Sequence, residues 1–153
     1  MQEKELYVYY SNLVTFFKKC YNISRTMKGE PSMCKLRNLT KDIRVAEIKY
    51  AYIVNIIKQA QNCKNISKII LFGSSIEERC KPDSDIDIAV FGDKKPYVYL
   101  KSAEFRNFND NVFSFNDFDG QDYDILYFTD NIDDNSDLMK NIRQGAEIYR
   151  RAA

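Results

Sequence analysis

The sequence predicts an α+β domain: a small mixed sheet with helices on one side, preceded by a helical extension. Three observations carry this. Long apolar stripes at spacings of three and four run through the first 62 residues, the period of amphipathic helices. Short alternating or β-branched runs follow at Ile69–Phe72, Asp85–Phe91 and Tyr123–Phe128, the period of strands. Helical stretches fall between and after these runs, so strands and helices interleave in one layered domain.

Residues 3 to 20 carry Leu6, Tyr9, Tyr10, Leu13, Phe16, Phe17 and Cys20, which predicts a first helix. Gly29, Pro31 and Ser32 mark a loop over 28–38. Thr40 is a candidate N-cap for a second helix reaching about Asn62, with the stripe Ile43, Ala46, Tyr50, Ile53, Val54, Ile57 and Ala60. Ile69–Phe72 reads as a buried strand ended by Gly73. In Asp85–Phe91, Ile86, Ile88 and Val90 face one way, and Asp85, Asp87 and Ala89 the other. Pro96 suits the first turn of a helix running to about Phe108. Residues 109–122 read as loop, with Asp119-Gly120 as a turn. Tyr123–Phe128 alternates as a third strand. After the polar stretch Asn131–Ser136, Ser136 caps a last helix with the stripe Leu138, Ile142, Ala146 and Tyr149. The domains are drawn as a helical extension, 1–62, and a core, 63–153.

Composition narrows the classes of function. The 153 residues carry a net charge of +1, and no basic stripe marks a nucleic-acid track. The four cysteines are far apart and there is no histidine. That argues against a structural zinc site and against any histidine-dependent triad. Separated cysteines predict reduced thiols and a cytoplasmic protein. The charged start Met1-Gln2-Glu3-Lys4-Glu5 is not expected to be a signal peptide. No apolar run reaches the ~18 residues of a membrane span.

The chemistry concentrates between residues 73 and 87. Gly73-Ser74 is followed by ten residues and then Asp85-Ile86-Asp87. Asp85 and Asp87 lie two apart on a strand, so their carboxylates share a face, with Cα atoms ~6.5–7 Å apart. Two such charges raise one another's pKa unless a cation lies between them, and Mg²⁺ takes oxygen ligands of this kind. Gly73 allows close backbone approach to a ligand. Ser74 and Ser75, with their hydroxyls and N–H groups, are candidates for binding phosphate. A third carboxylate is expected from the strand Tyr123–Phe128. Asp124 is the candidate, because an aspartate in so apolar a strand is costly unless paired or metal-bound; Asp122 shares its parity and is the competitor.

These residues resemble the nucleotidyltransferase superfamily with a DNA polymerase β-like fold, whose members show Gly-Ser, about ten residues, Asp-x-Asp and a later strand aspartate. The close of the chain, Asn141-Ile142-Arg143-Gln144-Gly145-Ala146-Glu147-Ile148-Tyr149, resembles that of the minimal nucleotidyltransferases. The resemblance covers about residues 64–150. It implies transfer of an NMP, AMP from ATP being the leading choice, with two Mg²⁺ ions held by Asp85, Asp87 and Asp124 and the triphosphate on Gly73, Ser74 and Ser75. It implies a hydroxyl acceptor on a protein or a small molecule. It also suggests an antitoxin role toward a HEPN-type ribonuclease, since minimal relatives often modify such partners. Many minimal members carry an arginine and a further glycine after Gly-Ser, where this chain has Ser75, Ile76, Glu77 and Glu78. The two glutamates motivate a second reading, a catalytically silent module that binds nucleotide or partner. The apolar faces of the N-terminal helices are expected to pack on the core or to pair two chains.

Overall fold

A computed structural model of the chain describes residues 33–153, and the helix expected over 3–20 lies outside the described residues. Met33–Ala153 form one compact unit. The helix placed with the extension at sequence level therefore packs in the same unit as the 63–153 core.

That unit opens with a two-stranded antiparallel hairpin, β1 (Leu36–Asn38) and β2 (Arg44–Ala46). This corrects the expectation of a helix from Thr40. The Thr40 hydroxyl accepts from the N–H groups of Asp42 at 3.3 Å and Ile43 at 3.2 Å, so it caps the hairpin turn instead. A 3-10 turn, Glu47–Lys49, leads into α1 (Tyr50–Ala60). Because the helix starts ten residues late, its buried face is Tyr52, Ile53, Ile56 and Ala60, while Val54 is exposed.

The main sheet has four strands in the order β5-β4-β3-β6. They are β3 (Ile66–Phe72), β4 (Ile86–Gly92), β5 (Tyr123–Thr129) and β6 (Ala146–Arg150). β3 pairs antiparallel with β4 and β6, and β4 pairs parallel with β5, so the sheet is mixed. The parallel pair requires a crossover, supplied by α2 (Pro96–Tyr99) and α3 (Ala103–Phe113). One helix was expected here. Ser102 divides it, donating to the Tyr99 carbonyl at 2.6 Å and accepting from the Phe105 N–H at 3.1 Å. It thus caps a new helix rather than continuing the old one.

The face of the sheet bearing Ile69, Leu71, Ile86, Ile88, Val90, Tyr123 and Tyr127 is buried. Tyr99 packs on Tyr127 in a tilted arrangement with ring centroids 4.7 Å apart, and Phe113 meets Tyr123 edge-on at 5.0 Å. The Tyr127 hydroxyl is satisfied by Asn65 at 2.8 Å and the Lys94 carbonyl at 2.7 Å. The opposite face carries Asp87, Ala89 and Phe91, with Asp124, Leu126 and Phe128 in register beside them. Its apolar part is covered by a short helix, α4 (Asp137–Arg143), whose Met139 and Ile142 pack with Phe72, Ala89 and Phe91. The aspartate end lies outside that cluster.

Ser136 caps α4 as expected, accepting from the Met139 N–H at 3.2 Å. The rest of the expected last helix is corrected. Leu138 is 46% exposed, and Ala146 and Tyr149 belong to strand β6. Gly145 explains the switch: a Cβ there would collide with the Leu71 carbonyl. Only glycine lets the chain leave α4 so close to β3 and then pair with it. No helix among the described residues is long and apolar enough to cross a membrane.

Candidate active site

The predicted residues meet at one end of the sheet. β3 ends at Phe72, which is the register partner of Asp87 on β4. Gly73 follows in a left-handed conformation, φ +72°, and opens a 3-10 turn, Gly73–Ile76. A Cβ on Gly73 would overlap Asp87 Oδ2. The glycine is thus required twice, by its φ and by the carboxylate against which its Cα rests. β2 packs on this turn from outside.

Asp87 and Asp124 are direct register partners on parallel strands, so their backbones stand ~4.8 Å apart with side chains on one face. Asp85 precedes β4 by one residue and shares their parity. Asp122 stands one pleat before Asp124, outside the strand; its carbonyl accepts from the Ile86 N–H at 3.0 Å. The in-register neighbour of Asp87 is therefore Asp124. Burial pushes the Asp87 carboxyl up to about 6, and the nearby charges of Asp124 and Asp85 push the same way.

The donor set suits a hard divalent cation. It consists of carboxylate oxygens, and a cation would relieve the repulsion that now falls on Asp87. As the side chains stand, no group of three metal-binding residues among the described residues closes into a cage.

Ser74 is half-buried in the turn that follows β3. Ser75 differs from expectation: its side chain is fully buried and its Oγ has no hydrogen-bond partner. It does not present its hydroxyl to an incoming phosphate. Glu77 is paired with Arg79 on the surface, which satisfies its charge locally, and Glu78 and Lys81 are exposed.

Two residues near the site escaped the sequence reading. Lys49 is 1% exposed. Its ammonium donates to the carbonyls of Pro82 at 2.9 Å and Ser84 at 2.7 Å, and to Gln121 Oε1. Gln121 Nε2 in turn donates to the carbonyls of Ser84 at 3.1 Å and Asp122 at 2.6 Å. Burial pulls Lys49 below the usual lysine range, against the opposing attraction of Cys80, Asp85 and Asp83. The available signal was position: Lys49 lies three residues after Ala46 and four before Ile53, on the apolar stripe itself.

No curated protein matches the chain at a significant level. A family model described as "Polymerase beta, Nucleotidyltransferase" matches residues 54–152, a span that takes in the Gly-Ser turn, all three aspartates and strand β6. With more than half its length matched, and with a mixed sheet that brings the Gly-Ser turn against Asp87 and pairs Asp87 with Asp124, the chain belongs to the polymerase β-type nucleotidyltransferase family.

Proposed function

We propose that the protein is a Mg²⁺-dependent nucleotidyltransferase that moves AMP from ATP to a hydroxyl on a protein or small molecule. The observation that most supports this is the register pairing of Asp87 with Asp124 directly against Gly73. In this reading Asp85, Asp87 and Asp124 are the metal-binding and catalytic carboxylates, and Gly73 with Ser74 and the Ser75 backbone receives the triphosphate. Two magnesium ions, when held by these carboxylates, would neutralise phosphate charge and polarise the reacting oxygens.

The chain's own groups then have defined tasks. Gly73 leaves room for the phosphates beside Asp87. Asp124 takes the proton as the acceptor hydroxyl oxygen bonds to the α-phosphorus. The bond from that phosphorus to the bridging oxygen breaks, and pyrophosphate leaves with the electron pair. No covalent protein intermediate is required, in keeping with a chain that has no histidine. A net charge of +1 favours a protein or small-molecule acceptor over a polynucleotide. The partner class, a HEPN-type ribonuclease modified by its antitoxin, comes from the family resemblance alone.

A second reading, a silent binding module of the same fold, is favoured by the enclosed Ser75 hydroxyl. Calorimetric titration of ATP with Mg²⁺ into wild type and an Asp85→Asn/Asp87→Asn double variant separates the two, followed by transfer assays with α-labelled ATP. Metal-dependent binding lost in the variant, together with label on an acceptor, supports the enzyme. Binding without any transfer supports the silent module. Failure to bind ATP, GTP, CTP and UTP would remove the nucleotide site.

A further inference from the structure

The Lys49 ammonium has three N–H donors, and all three are spent: on the Pro82 carbonyl, the Ser84 carbonyl and Gln121 Oε1. None is left for a substrate. The acceptors it holds are not scattered. Pro82 and Ser84 are the last residues of the loop that delivers Asp85 and Asp87 to β4. Gln121 immediately precedes the segment that delivers Asp124 to β5. Gln121 closes the bridge by donating to the Ser84 and Asp122 carbonyls, and the Ile86 N–H donates to Asp122. The starts of the two parallel strands are thus tied together through one buried cation, just before the residues whose carboxylates must converge.

A buried ammonium is a costly way to hold two loops. An apolar residue of similar volume often stabilises a fold as well or better. The direct acceptors of Lys49 are two backbone carbonyls and an amide, and the acidic charges that reach it are those of Asp85 and Asp83.

Building on the nucleotidyl-transfer reading, we propose that Lys49, acting through Gln121, is the positioning residue of the carboxylate site. It fixes the separation of the β4 and β5 starts, so that Asp85 and Asp87 on one strand and Asp124 on the other close on a divalent cation. The role is indirect, since the three N–H donors of its ammonium go to two backbone carbonyls and Gln121.

The test uses the full 153-residue chain and Mn²⁺ as the probe, with free Mn²⁺ followed by electron paramagnetic resonance and folding followed by thermal melting. Two variants are compared with wild type. Lys49→Met removes the cation at similar volume. Gln121→Met, at a half-buried position, removes the bridge to β5 while leaving Lys49 on its two carbonyls. The expected result is Mn²⁺ affinity weakened about 10-fold or more, the range found for residues that orient metal ligands, in Gln121→Met at a melting temperature near that of wild type. Under ATP and Mg²⁺, kcat should fall more than the KM for ATP rises. If Lys49→Met does not fold, Gln121→Met decides alone. Folded variants that bind Mn²⁺ within twofold of wild type would overturn the proposal and leave the nucleotidyl-transfer reading standing. A wild type that binds no Mn²⁺ would overturn both.

Discussion

Replacing Asp87 by asparagine should stabilise the metal-free fold at neutral pH while it removes activity. The wild-type carboxyl is held at about 6 against an ordinary 3.8, chiefly by burial and then by Asp124 and Asp85. Two units at ~1.4 kcal/mol each give an upper figure of ~3 kcal/mol. Asp87 is only partly buried, so solvent screening reduces this to ~1–2 kcal/mol. A folded-state pKa raised above the unfolded one means that the fold prefers the protonated carboxyl. The stability associated with that proton is fully present below about 3.8 and is lost as pH rises through about 6. Asparagine has the same shape and cannot ionise, so it escapes the loss.

Urea denaturation in EDTA at pH 8 and at pH 3.5 measures this directly. At pH 8 the variant should be more stable by ~1–2 kcal/mol, about 4–8 °C in Tm for a unit of this size. At pH 3.5 the two proteins should coincide. Added Mg²⁺ should then stabilise wild type, by ~2.7 kcal/mol at a hundred times its Kd, and leave the variant largely unmoved, so that the order reverses. A variant no more stable than wild type at pH 8, or a gap that persists at pH 3.5, would refute the electrostatic account of the site.

Two further substitutions separate the site from the fold. Gly73→Ala places a Cβ into Asp87 Oδ2 at a left-handed φ; it should cost ~1–2 kcal/mol from the backbone alone and abolish Mg²⁺-dependent ATP binding, read by melting and by calorimetry. Gly145→Ala forces a Cβ against the Leu71 carbonyl, with Ile70 Cγ2 at 2.8 Å; it should cost ~1–3 kcal/mol and loosen β6. Since the three aspartates lie on other segments, ATP binding measured well below the melting point should survive. Loss of binding in Gly145→Ala at a temperature where circular dichroism shows it folded would tie β6 to the site.

The carboxylates were legible in the sequence because strand alternation is a local property. Asp85 and Asp87 share a face by spacing alone, and the alternation of Tyr123–Phe128 gave Asp124 its face of the third strand. The hairpin at 36–46 was not legible. Thr40 is as good a cap for a turn as for a helix, and Ile43 and Ala46 fall by accident on the stripe that continues through α1. The last helix failed for a related reason: Ala146 and Tyr149 keep a helical spacing from Ile142, yet Gly145 stands between them and meets β3 through a contact with Leu71 that no local pattern encodes. Lys49 was hidden by the same error as the hairpin. A helix drawn from Thr40 puts position 49 among the stripe residues, where a lysine passes as an interruption of the pattern, whereas a helix that starts at Tyr50 leaves it at the junction beneath the loop 82–84.

The remaining element is the parallel pairing of β4 with β5, on which the site depends. Periodicity assigns each aspartate a face of its own strand but says nothing about which strands are neighbours or in which direction they run. Had β5 added antiparallel to β4, Asp124 would have been carried to the end of the sheet away from Gly73. The direction is set by the crossover: α2 and α3 return the chain across the buried face, with Tyr99 on Tyr127 and Phe113 on Tyr123, so that β5 restarts beside the start of β4. The aromatic core on one face of the sheet therefore determines which carboxylates meet on the other. Substitutions in that core, such as Tyr127→Ala, should weaken cation binding through strand register even though they leave every carboxylate in place.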